Sequence, residues 1–116
     1  MQRDPRAFLW DVRESVLAIQ SFVAGMDATA YADSALVQSA VERKFEIIGE
    51  ALSQLGKQDA LLAARVPNLP QIVAFRNQLI HGYAMVNHST VWNVVTDSLP
   101  SLLLAVHALL QELGEV

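Results

Sequence analysis

The 116-residue chain has no cysteine, five glycines and four prolines. Without cysteine it holds no disulfide framework, no thiolate zinc site and no thiol nucleophile. Long apolar runs are missing too. The longest purely apolar stretches span a few residues, such as Leu102 to Val106, against the roughly 20 that a spanning helix needs. The start, Met1-Gln2-Arg3-Asp4-Pro5-Arg6, has no uninterrupted apolar segment of the signal-peptide kind, so a cytoplasmic protein without a membrane partner is expected. Positive charge is not in excess. Eight Lys and Arg face twelve Asp and Glu, a formal net charge of -4, which excludes a global basic field able to hold duplex DNA. Any contact with nucleic acid has to be local.

Sheet and metal signals are equally scarce. The sequence has no Asn-Gly hairpin, no sustained alternation, no low-complexity run and no internal repeat. It has no His-Glu-x-x-His, no aspartate-rich loop and no Gly-rich phosphate loop, so neither a metal nor a cofactor is expected. What it does have is apolar residues, 53% of the chain, with 17% charged. That balance suits one packed domain over residues 1–116.

The apolar residues recur at helical spacing. Phe8, Leu9, Val12, Val16, Ile19, Phe22 and Val23 fall on one side of a helix over about 5–24. Asp4 and Pro5 start it and Gly25 stops it. A second helix runs from Asp33 as N-cap to Gly56. Its seam is Val37, Val41, Phe45, Ile48, Leu52 and Leu55, and Ser39, Arg43, Glu46 and Glu50 form a polar strip elsewhere on its surface. Gly49 in its middle costs about 1 kcal/mol against alanine, a cost that close approach of another helix explains. Residues 57–66 form a short helix or turn. A third helix runs from near Pro70 to His81, with Gly82 at its end. The last runs from Ser89 or Thr90 to Leu113, kinked or divided by Pro100. The expected fold is all-α: an antiparallel four-helix bundle with a short extra helix.

Three histidines and one crowded segment are the candidates for chemistry. His107 lies in an apolar run and His88 just precedes a helix, and both read as structural. Phe75-Arg76-Asn77-Gln78-Leu79-Ile80-His81-Gly82-Tyr83 is different. It sets a permanent cation, a carboxamide, an imidazole and a phenol near one helix end. At about 100° per residue Asn77 and His81 share a face, while Arg76 stands about 140° from His81. Asn77 can therefore orient the His81 ring. Arg76 converges with the ring only through its length, through fraying at Gly82, or by facing a second chain. The set suits metal-free cleavage of an RNA phosphodiester. An imidazole can exchange a proton with the 2′-hydroxyl or the leaving oxygen, and a guanidinium can clamp the phosphate. A plain structural role is also open, and residue types alone favour it: Arg76 paired with Glu46 or Glu50, and His81 and Tyr83 capping the helix.

The segment Arg76-Asn77-Gln78-Leu79-Ile80-His81-Gly82-Tyr83, R-N-x-x-x-H-x-Y, resembles the signature of HepT-like HEPN-domain proteins. Phe45-Glu46-Ile47-Ile48-Gly49-Glu50-Ala51 resembles their E-I-I-G-E-A helix, and Val91-Trp92 and Leu99-Pro100 fall where these proteins often carry similar pairs. The similarity covers about residues 8–110 and departs at Gln71, where many relatives have tryptophan. The resemblance implies a HEPN-like helical homodimer that is the toxin of a toxin–antitoxin pair. It would be a metal-independent endoribonuclease cutting RNA in a cleft between protomers. Arg76 and His81 would be catalytic, with Asn77 in support and Arg43, Glu46 and Glu50 as polar residues of the cleft. It further implies an MntA-like nucleotidyltransferase antitoxin that adenylylates Tyr83. That bulky anion two residues from His81 would repel an RNA phosphate. A different class stays open: a non-catalytic helical partner that binds nucleotide or substrate for a nucleotidyltransferase, a reading the acidic balance favours slightly.

Overall fold

A computed structural model describes residues 2–82, 84 and 86–114 of the chain. Five of the seven helices among the described residues start where a short polar side chain accepts from a free backbone N–H group. The Asp4 carboxylate accepts from the Arg6 N–H at 2.9 Å and opens α1 (Pro5–Phe22). Asp27 accepts from the Ala30 N–H and opens α2 (Ala28–Ala32). Ser34 Oγ accepts from the Val37 N–H and opens α3 (Ala35–Gln58). Asp59 opens α4 (Ala60–Ala63), and α5 (Leu69–His81) follows Asn68, whose φ of 59° turns the chain. The Asn87 side-chain oxygen accepts from Ser89 N–H and Thr90 N–H to open α6 (His88–Asp97). The last element is α7 (Leu99–Leu113).

Several boundaries differ from the sequence reading, each for a local reason. The first helix stops at Phe22, because Val23 and Gly25 (φ 78°) have already left helical geometry. The cap of α3 is Ser34, one residue after the expected Asp33. The helix also passes through Gly56 to Gln58, where Asp59 closes it and caps its successor. The region before it contains α2, which the periodicity did not reveal. The final helix is divided, with α6 and α7 meeting at 44°. Pro100 lies in the first turn of α7, where a missing N–H costs nothing, so the break falls two residues earlier, at Ser98.

The architecture is the expected all-α one, with no strand among the described residues. α1 packs on α3 and α7, α5 packs chiefly on α3, and α6 joins α7 to α2. Leu9, Val12, Val16 and Ile19 of α1 meet Val41, Ile48, Leu52 and Leu55 of α3 and Leu102, Val106 and Leu110 of α7 in a fully buried core. Each such side chain contributes about 1.5–3 kcal/mol by leaving water. No single described helix is long and apolar enough to cross a membrane. Because α5 leans mainly on α3, both of its flanks stay open, and the polar segment lies on α5.

Candidate active site

Two contacts seat α5. Phe75 meets Phe45 edge to face, with ring centres 5.1 Å apart at 90°, and Ile72 and Leu79 are buried. One turn along α3, Gly49 lies directly under Arg76. A Cβ built on Gly49 would stand 2.3 Å from Arg76 Cβ and 2.5 Å from its Cγ. The mid-helix glycine is thus explained by close approach of α5, as the sequence suggested. It opens the space through which the arginine stem crosses α3.

Beyond that crossing the guanidinium is held on two sides. Nη2 donates to Glu50 Oε2 at 2.7 Å, and Nη1 donates to Asn77 Oδ1 at 3.0 Å. The buried Nε has no hydrogen-bond partner among the described residues. Glu50 also accepts from Gln54 Nε2 at 3.0 Å. Arg43 pairs with Glu46 at 3.1 Å, three residues on. Arg76, Arg43, Glu46 and Glu50 line one groove of about 300 Å³ together with the Arg3–Asp11 pair. The strip expected to supply cleft residues therefore gathers around Arg76. The Glu50 side chain is 49% exposed, so the Arg76 pair is not a buried one. Exposed pairs contribute about 0–1 kcal/mol, and a phosphate able to accept two charge-assisted bonds is a strong competitor for the same fork.

His81 lies elsewhere. It is the exposed last residue of α5, where the Gly82 N–H donates to the Gln78 carbonyl at 2.8 Å. It lines a second, larger groove of about 600 Å³ with Phe75, Asn77, Leu79, Asn87 and Val91. Arg76 and His81 thus stand on different flanks of α5, as their spacing of about 140° requires, and one chain does not bring them together. Asn77, expected to orient the imidazole, gives its oxygen to Arg76. No hydrogen bond among the described residues joins it to His81. Tyr83, the expected modification site, lies outside the described residues.

The other histidines sit apart. His107 on α7 is exposed, with its Nε2 3.4 Å from Gln111 Nε2. His88 begins α6, edge-on to the buried Tyr31 ring at 6.3 Å, and its buried Nδ1 has no hydrogen-bond partner among the described residues. Tyr31 also tilts against Trp92 at 5.4 Å, and its hydroxyl has no hydrogen-bond partner among the described residues. Burial pushes the Tyr31 hydroxyl above the ordinary phenol range, helped by the nearby Glu42. Burial also raises the Glu42 carboxyl. Nearby His88 opposes that shift and Glu46 reinforces it. This cluster of α2, α3 and α6 escaped the sequence reading, since no spacing links residues from three elements.

The fold and site together define an all-α protein that presents a cation and an imidazole on two sides of one helix. A family model described as ribonuclease HepT-like matches residues 12–109. The chain is 31% identical over 103 residues to "Putative RNase MJ1380" of Methanocaldococcus jannaschii, covering 87% of this chain and 92% of that protein. It is 28% identical over 116 residues to "Putative RNase MJ0125" of the same organism, covering 98% and 97%. It is 29% identical over 102 residues to "Probable ribonuclease HepT" of Thermococcus cleftensis, covering 88% and 92%. No solved structure matches significantly. The chain belongs to the HepT-like ribonuclease family.

Proposed function

We propose that the protein is the endoribonuclease toxin of a toxin–antitoxin pair. It cuts RNA without a metal in a cleft where two copies meet, with Arg76 from one copy and His81 from the other. The observation that carries this reading is the position of the two side chains: both reach solvent, on opposite flanks of α5, in separate grooves. A two-fold partner can lay its α5 end across the first, so that each copy supplies what the other lacks. The His81 imidazole takes the 2′-hydroxyl proton. The 2′-oxygen attacks phosphorus, the bond to the 5′-oxygen breaks, and that oxygen takes a proton from water. Arg76 leaves Glu50 for the phosphate and offsets the charge that builds there.

Control follows from the same site. An MntA-like nucleotidyltransferase that adenylylates Tyr83 places a phosphate two residues from His81, where it repels RNA and competes for Arg76. RNA cutting by purified protein in EDTA, lost in His81→Ala and in Arg76→Ala, is the expected result. Unchanged cutting by both variants overturns the assignment. The intact mass of protein made with and without its partner checks the control, an added AMP on Tyr83 being expected.

One observation favours a second reading, a non-catalytic partner that binds nucleotide for the transferase. All three arginines of the smaller groove already face carboxylates. A purified dimer that binds nucleotide and never degrades RNA would establish it.

A further inference from the structure

We infer that the larger groove, between α5 and the start of α6, is a nucleobase subsite that prefers guanine and uracil, which carry a carbonyl oxygen at ring position 6 or 4, over adenine and cytosine, which carry an amino group there. The inference rests on the ribonuclease reading and names how that site chooses its substrate. The groove, of about 600 Å³, falls within the roughly 300–1,000 Å³ of ligand sites. Its apolar surface comes from Phe75, Leu79, Val86 and Val91, and among the described residues that line it none is Asp, Glu, Lys or Arg. Such a surface suits a flat uncharged ring and does not suit a phosphate. His81 shares it, so a base seated there belongs to a nucleotide beside the reacting linkage.

Preference follows from three carboxamides of that lining, Asn77, Gln78 and Asn87. The Asn87 oxygen is engaged by the Ser89 and Thr90 N–H groups at 2.9 and 3.3 Å. The Asn77 oxygen is engaged by Arg76, which can only donate. The Asn87 oxygen has both lone pairs in use, so that amide has only its NH2 group to offer a ligand, and Asn77, whose oxygen keeps one lone pair, adds a second NH2 donor. Donors that face the edge at position 6 or 4 select the acceptors guanine O6 and uracil O4, and they meet adenine N6 and cytosine N4 donor to donor. Gln78, with no side-chain hydrogen bond among the described residues, is free to match the rest of the edge.

The test is cleavage of a random-sequence RNA, read base by base around each cut, with His81→Ala as blank. Wild type is expected to favour G or U at one position beside the cut. Asn87→Asp keeps the oxygen that caps α6 and replaces the donor by an acceptor. It is expected to shift that preference toward C and A by about fivefold, the weight of one hydrogen bond, with an unchanged melting temperature. Cutting without base preference, or a preference untouched by Asn87→Asp, overturns the subsite and leaves the ribonuclease reading standing. If wild type cuts nothing, that reading fails. The groove is then tested by the side-chain amide NMR signals of Asn77 and Asn87 on adding GMP, UMP, AMP or CMP. Shifts with GMP and UMP alone support it, and equal shifts or none overturn it. Thr90→Trp, at the exposed rim, is expected to block base selection in an unaltered oligomer. Conversion of a dimer to monomer would make the groove a contact between copies and overturn the assignment.

Discussion

The two flanks of α5 differ in kind. On one side Arg76, Arg43 and Arg3 face Glu50, Glu46 and Asp11, three cations against three anions. On the other, the groove that holds His81 has no Asp, Glu, Lys or Arg among the described residues of its lining. A ribonucleotide has the same division, an anionic linkage and a neutral ring. Two surfaces separated by one helix match that division, and they follow from α5 leaning mainly on α3. The charged side is neutral overall, so in the proposed function it attracts phosphate only when Arg76 exchanges Glu50 for RNA. In a protein of net charge -4, that proposed exchange would supply binding where a general basic field does not.

Substitutions on the two flanks separate their roles. The largest effect is expected at the reacting groups: His81→Ala and Arg76→Ala each lower RNA cleavage by about 10²- to 10⁴-fold, measured on RNA in EDTA. Only Arg76→Ala should also flatten the dependence of RNA binding on salt, because it alone removes a phosphate contact. Gly49→Ala comes next. Its Cβ collides with the Arg76 stem, so stability falls by about 1–3 kcal/mol in a denaturant titration and the guanidinium shifts. If neither stability nor cleavage changes, the close approach of α3 and α5 is refuted. Glu50→Gln removes the competing carboxylate and should tighten RNA binding severalfold, in keeping with an exposed pair of about 0–1 kcal/mol. Weaker binding would show that Glu50 holds Arg76 in its working position. The smallest effect lies away from both grooves. Burial holds the Glu42 carboxyl above its usual range, so wild type is relatively stable below the ordinary carboxylate pKa and loses that stability as pH rises through the raised value. Glu42→Gln should therefore raise the melting temperature at pH 7, and the gain should vanish near pH 4.

The long helices were readable because their seams repeat in steps of three and four, and Val41, Phe45, Ile48, Leu52 and Leu55 are all buried as that pattern requires. The segment α2 was not, because it buries only Tyr31 and a single side chain sets no period. The separation of Arg76 from His81 was legible as an angle on a helix. The partner of Asn77 was less so: spacing pointed to His81 four residues on, whereas the longer arginine beside it reaches the amide first. Gly49 announced a close approach without saying by what. Its neighbour Arg76 is far along the chain, and only packing brings the two together. The larger groove was invisible for a similar reason, since Val86, Asn87, Thr90 and Val91 join α5 from beyond a loop.

In the proposed function, Arg76 and His81 act on one linkage from two copies of the chain. The most direct measurement mixes two inactive variants, Arg76→Ala and His81→Ala, unfolded and refolded together, and follows RNA cleavage. Mixed dimers then contain one cleft with both groups intact, so cutting should return to a large fraction of the wild-type rate in proportion to the dimers formed. A mixture as inactive as either variant alone, with mixed dimers present by native mass spectrometry, would contradict the account.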